Sequence, residues 1–158
     1  MAYDLILRGG RVIDPSQKLD GVRDVAFTGG KVAAVGKDLK ASAGTEVRDL
    51  RGYIVTPGLI DLHTHVYWGG TSLGIDAEEF CRTSGGTTSS DTGSAGPGNW
   101  AGFRRHVIEP SQVRILAYLH VAFAGIYGFS NTVMVGESEN LRMMAPAECA
   151  EIADANRD

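Results

Sequence analysis

Two histidines separated by one residue, His63 and His65, close the stretch Val55-Thr56-Pro57-Gly58-Leu59-Ile60-Asp61-Leu62-His63-Thr64-His65. A Pro-Gly break opens that stretch, and a short apolar run fills it. If Leu59 to His65 is a strand, side chains alternate between faces, so Asp61, His63 and His65 share one face. Two neutral imidazoles at that spacing can reach one divalent cation at about 2.0–2.1 Å each. A carboxylate two residues earlier, Asp61, can orient a ligand from behind. The spacing alone also suits two hydrogen-bonded polar residues at a strand end, so the elements that carry it have to decide.

Residues 3–56 read as short strands joined by tight turns. Tyr3 to Leu7 and Arg11 to Ile13 flank Gly9-Gly10, which is a hairpin signal, and Val22 to Phe27 and Lys31 to Val35 flank Thr28-Gly29-Gly30, a second one. Glu46 to Asp49 and Tyr53 to Thr56 supply two more strands. About fifty residues is marginal for an independent core. After Pro57 the pattern becomes strand, helix, strand, helix. Leu59 to His65 is the first strand, and Asp76 caps a helix that Gly85-Gly86 stops. Thr87 to Asp91 is the second strand, and Asn99 caps a helix over Trp100 to Ile108. Arg114 to Phe123 is the third strand, and after an irregular stretch Pro146 opens a last helix. Alternating strands and helices imply parallel pairing with right-handed crossovers. The loop Gly93 to Asn99 is Gly-rich but lacks the Gly-Lys-Ser/Thr ending of a phosphate loop.

The totals narrow the function classes. The chain has 158 residues, about one domain's worth. A net charge of −4 gives neither a basic nucleic-acid footprint nor a polybasic membrane patch. The 21 glycines have no three-residue period, so they mark turns rather than a collagen-like chain. Cys81 and Cys149 form no Cys-x-x-Cys pattern and read as reduced and structural. The N-terminus lacks a cationic run before an apolar one, and no segment is long enough to span a bilayer. The expected compartment is the cytoplasm.

The string Pro57 to His65 resembles the first barrel strand of the amidohydrolase superfamily, metal-dependent hydrolases built on a TIM barrel, and Asp4 to Pro15 resembles that family's opening. The resemblance implies an α/β fold: a small N-terminal β-sandwich portion over 1–56, then over 57–158 the first three βα units of a (βα)8 barrel. It implies that His63 and His65 are metal ligands supported by Asp61, holding zinc or another divalent metal, with one or two ions in the complete protein. Functional groups of such barrels sit at the C-terminal strand ends. The family's bridging lysine, further histidines and catalytic aspartate have no counterpart here. The lysines, Lys18, Lys31, Lys37 and Lys40, all lie in the β-rich region, and the chain stops at Asp158. The expectation is therefore an N-terminal part of a longer protein, inactive by itself.

Within the superfamily, dihydroorotases usually carry an arginine two residues after the second histidine, where this chain has Tyr67. The stretches Val66 to Gly74, Asp91 to Gly96 and His106 to Ser111 resemble the amidohydrolase/deacetylase branch. That branch implies hydrolysis of an N-acyl or O-acyl bond by metal-activated water. The alternatives are a dihydroorotase- or hydantoinase-type cyclic amidohydrolase, and a non-catalytic scaffold. The expected partner is a small acylated molecule, and a homo-oligomer is compatible with the reading. Tyr67 and Trp68 either shape a substrate pocket or pack a loop. His120 either projects toward the metal or sits in the core. Asp91, at the end of the second strand, either supports the ligands or bonds toward the helix side. Ser89-Ser90 stands where the family's second strand is usually apolar, a departure expected to loosen that strand.

Overall fold

In the computed structural model, which describes residues 2–157, the Gly9-Gly10 pair bends a strand instead of reversing it. Strand β1 (Leu5–Asp14) stays on one antiparallel partner, β2 (Leu19–Thr28), along its whole length. The register runs from Leu5↔Phe27 to Leu7↔Val25, skips, and resumes at Gly10↔Arg23. The expected hairpin at this point is thus a β-bulge. Gly9 takes φ 73°, a value glycine adopts without a Cβ penalty, and its N–H donates to the buried Asp24 carboxylate at 2.9 Å. The true reversal is Gly29-Gly30, both at positive φ, which joins β2 to β3 (Lys31–Gly36). Strands β4 (Glu46–Asp49) and β5 (Ile54–Val55) both run parallel to β1. The result is one five-stranded layer, with Ile6, Val12, Val25 and Ala26 buried. Val22, Val32, Val47, Tyr53 and Ile54 remain exposed on it.

The chain divides into two units, Met1–Pro57 and Gly58–Asp158. In the second, β6 (Leu59–Thr64), β7 (Gly86–Thr92) and β8 (Arg114–Tyr118) form a parallel sheet in the order β6-β7-β8. Helix α1 (Ala77–Ser84) connects the first two strands. The Asp76 carboxylate accepts the Glu78 and Glu79 N–H groups, and Gly85 at φ 75° ends the helix. Helix α2 (Trp100–Phe103) runs into a π-helical turn, Arg104–Ile108, and leads to β8. Parallel strands joined through helices are the repeating unit of a TIM barrel, here as an open sheet of three rather than a closed barrel.

Two boundaries differ from expectation. Asn99 does not cap α2 with its side chain. Its Oδ1 accepts the Gly96 N–H at 2.8 Å and its Nδ2 donates to the Ala124 carbonyl at 3.0 Å, so it ties two loops together. The third strand ends at Tyr118, not Phe123, because the His120 N–H leaves the ladder and donates to the Ala95 carbonyl at 2.9 Å. Beyond it lie a two-residue ladder between β9 (Gly128–Phe129) and β10 (Met134–Val135), and helix α3 (Pro146–Ala155).

The core of this unit is Val66, Ala77, Ala95, Phe103 and Ile115. Ser89 and Ser90 are buried, and the β6–β7 ladder shifts register beside them while the β7–β8 ladder stays regular. Both keep their pairing with β8, and Ser89 Oγ lies 3.4 Å from Cys81 Sγ. Among the described residues, no helix is long and apolar enough to cross a membrane.

Candidate metal-ligand site

The two imidazoles stand at the C-terminal end of β6, where the strand ladder becomes irregular. The β6–β7 register shifts between Asp61 and Thr64. Side chains fill the gap in main-chain bonding. Buried Thr64 donates its hydroxyl to the Ser90 carbonyl at 3.0 Å, and the Thr92 hydroxyl donates to the Thr64 carbonyl at 3.2 Å. The strand end is therefore stapled twice to β7 just before His65. Rigid strand ends of this kind hold functional groups to narrow tolerances.

His63 and His65 lie edge to face with ring centroids 5.7 Å apart. The rings therefore meet on one side of the strand, as the alternation requires. A separation of 5.7 Å suits two imidazoles holding one ion through nitrogens at about 2.0–2.1 Å. His65 Nδ1 lies 3.0 Å from the Ser94 hydroxyl, which commits that nitrogen to the protein and leaves Nε2 as the ring's remaining donor atom. Among the described residues, no group of three His, Cys, Asp or Glu side chains is arranged to hold an ion by itself. The pair supplies two positions of a zinc-type donor set, and its chemistry fits a divalent metal to that extent.

Asp61 works on the main chain. Its Oδ1 accepts the His63 N–H at 3.0 Å, so it fixes the His63 backbone rather than bonding an imidazole. Tyr67 packs against the helix that follows β7. Its ring stacks on Phe103 with centroids 4.6 Å apart, its hydroxyl lies 3.4 Å from the Asn99 carbonyl, and burial pushes the phenol pKa up. Trp68 is 63% exposed and lines a shallow groove of about 210 Å³ with Asp76, His106 and Pro110. His120 sits past the end of β8. Its Nδ1 accepts the Ala122 N–H at 2.9 Å, its Nε2 is 3.8 Å from Glu137 Oε2, and its ring lies against Gly93.

The residue that sequence reasoning undervalued is Asp91, and the one it missed is Ser94. Both are fully buried. Asp91 Oδ2 accepts the Val66 N–H at 2.8 Å, while Oδ1 accepts the N–H groups of Gly93 at 3.1 Å and Ser94 at 2.8 Å. One carboxylate thus ties the loop after β6 to the loop after β7. The available signal was an Asp at a strand end followed by Gly and Ser, an arrangement that favours side-chain bonds to nearby backbone N–H groups.

No family model matches the chain. A deacetylase of Agrobacterium fabrum (strain C58) is 38% identical over 120 residues, which are 76% of this chain and 30% of that protein. A dihydroorotase of Geobacter metallireducens is 54% identical over 63 residues, 40% of this chain and 15% of that protein. Among solved structures, a dihydroorotase superposes with a TM-score of 0.82 at 33% identity, covering 97% of this chain and 40% of that one. The chain therefore spans less than half the length of each of these relatives.

Proposed function

The chain belongs to the amidohydrolase superfamily, and from that premise we propose that the protein carrying it is a metal-dependent hydrolase of an N-acyl or O-acyl bond in a small acylated molecule. The observation that carries the reading is the imidazole pair at the end of β6, with rings 5.7 Å apart and one nitrogen of His65 already committed to Ser94. His63 and His65 would hold the ion, zinc or another divalent metal. When bound, such an ion supplies a Lewis acid that polarises the scissile carbonyl and acidifies a water toward pKa about 7. The chain's own residues prepare the place. Asp61 fixes the His63 main chain, and the Thr64 and Thr92 hydroxyls staple the strand end.

Acyl hydrolysis draws on the longer of the two sequence likenesses, 120 residues to the deacetylase against 63 to the dihydroorotase. Tyr67, standing where dihydroorotases usually carry an arginine, points the same way. A second reading, a cyclic amidohydrolase, draws on the solved dihydroorotase that covers 97% of this chain at 33% identity, and on the higher identity in the shorter sequence match, 54% against 38%.

A panel of N-acetyl and O-acetyl substrates, assayed beside dihydroorotate with the intact protein, separates the two. Preferential turnover of dihydroorotate would overturn the acyl reading. Replacing His63 and His65 together by alanine should abolish hydrolysis and remove bound metal. Full metal occupancy in that double variant would sink the ligand assignment.

A further inference from the structure

We propose that Ser94 and Asp91 are positioning residues for His65: the ring donates its Nδ1–H to the Ser94 hydroxyl, and Asp91 holds both ends of that contact. The inference rests on reading His65 as a metal ligand through Nε2.

His65 Nδ1 and Ser94 Oγ are 3.0 Å apart, and Ser94 has no solvent exposure. A serine hydroxyl can donate or accept, so the distance alone leaves two tautomers. Were the hydroxyl the donor, the neutral ring would carry its proton on Nε2, and the ring's other nitrogen would be blocked for a cation. With Nδ1–H as donor, the Nε2 lone pair is free. Metal-ligating histidines characteristically donate their other N–H to a fixed acceptor, which sets tautomer and ring orientation together.

The acceptor is itself anchored. Ser94 is held through its N–H, 2.8 Å from Asp91 Oδ1. The residue that follows His65, Val66, is held by the same carboxylate, its N–H 2.8 Å from Asp91 Oδ2. The two partners lie 29 positions apart in sequence, yet Ser94 and the residue after His65 are bonded to one fully buried carboxylate. A shift of either loop would have to break a bond to it. Neither Ser94 nor Asp91 needs to touch an ion or a substrate to do this.

The test uses the intact protein with ¹⁵N-labelled histidine. Without metal, side-chain ¹⁵N shifts should show His65 as the Nδ1–H tautomer. Ser94→Ala, which removes one oxygen and adds no bulk, should return it toward the Nε2–H form ordinary for free imidazole, with tryptophan fluorescence showing retained folding. A wild-type Nε2–H tautomer, or an unchanged tautomer in Ser94→Ala, overturns the proposal. Zinc titration gives the second readout. Wild type should be perturbed at His65 Nε2 while Nδ1 keeps its proton, and Ser94→Ala should bind zinc about 10–100-fold more weakly. Equal affinity overturns the positioning role. Asp91→Asn should move both readouts in the same direction as Ser94→Ala, and an unmoved pair removes Asp91 from the proposal. If zinc perturbs neither His63 nor His65 in wild type, the metal reading fails, while the metal-free tautomer still decides the case of Ser94.

Discussion

Replacing Asp91 by alanine should be among the most damaging single changes in the second unit. The carboxylate is fully buried and accepts three backbone N–H groups, at 2.8, 3.1 and 2.8 Å. Alanine leaves all three donors without a protein partner, and each buried unsatisfied donor costs about 1–3 kcal/mol. The vacated space is polar and about the size of a water, which can recover part of that loss. The expected destabilisation is therefore about 3–5 kcal/mol, a large share of the roughly 5–15 kcal/mol of a whole domain. Asparagine should cost less, about 1–3 kcal/mol. Its carbonyl oxygen can still accept from Gly93 and Ser94, but its amide group then meets the Val66 N–H donor to donor. The assay is urea unfolding followed by tryptophan fluorescence. Both tryptophans, Trp68 and Trp100, belong to the second unit, so the signal reports its unfolding and not that of the N-terminal sheet. A loss of 3–5 kcal/mol should lower the urea midpoint by about 2 M. An Asp91→Ala protein that loses less than about 0.5 kcal/mol, the range of ordinary surface changes, would refute the keystone role. So would an asparagine variant weaker than the alanine one.

Three further outcomes follow from particular contacts. Asp49, bonded by the Arg51 guanidinium and backbone N–H, has its carboxyl lowered to about 2. Its folded-state pKa is depressed, so the linked stability is present above the ordinary carboxylate range and is lost as pH falls toward 2. Carboxyl-carbon NMR should find it there, and Arg51→Ala should return it to the ordinary range. Gly96→Ala should destabilise the second unit by about 3 kcal/mol or more, because a Cβ would stand 1.9 Å from the Ala122 carbonyl oxygen and 2.5 Å from the Gly125 nitrogen, and backbone cannot give way as a side chain does. Urea unfolding checks it. Tyr67→Phe should be close to neutral, since the hydroxyl contact is long at 3.4 Å, whereas Tyr67→Ala should cost about 3 kcal/mol by losing the stack on Phe103. Equal effects of the two changes would show that the hydroxyl matters more than the ring.

The fold was legible where local chemistry and tertiary pairing agree. Asp76, Glu79 and Gly85 state the limits of α1 in the sequence, and the structure keeps those limits because caps act within one turn. The Gly29-Gly30 reversal is equally local. Gly9-Gly10 looks the same in sequence, but there the outcome depends on Asp24, a side chain of the partner strand that accepts the Gly9 N–H. A bulge and a turn need the same glycine conformation, and only the pairing partner distinguishes them. The early end of β8 has a similar cause. Val121 to Phe123 have strand-forming side chains, but the Ala95 carbonyl draws the His120 N–H out of the ladder.

The candidate site divides along the same line. The spacing of His63 and His65 is a property of one strand, so their shared face could be read directly. What orients His65 is a property of three segments meeting. Ser94 lies in a Gly-rich loop that reads as flexible, and it becomes a fixed acceptor only because a buried carboxylate holds its N–H. Asp91 is noticed in sequence as a polar strand end, while its work is done on the backbone of residue 66, across from its own strand. Asp61 shows the converse. Its carboxylate turns to the nearest N–H, that of His63, because a bond within its own strand needs no loop to be ordered first. The physical distinction is whether a side chain finds its partner within about two residues, where strand geometry fixes the outcome, or across a loop, where the whole fold must already be in place. For a ligand pair on one strand, the first kind of contact sets the spacing of the imidazoles and the second sets which nitrogen they present.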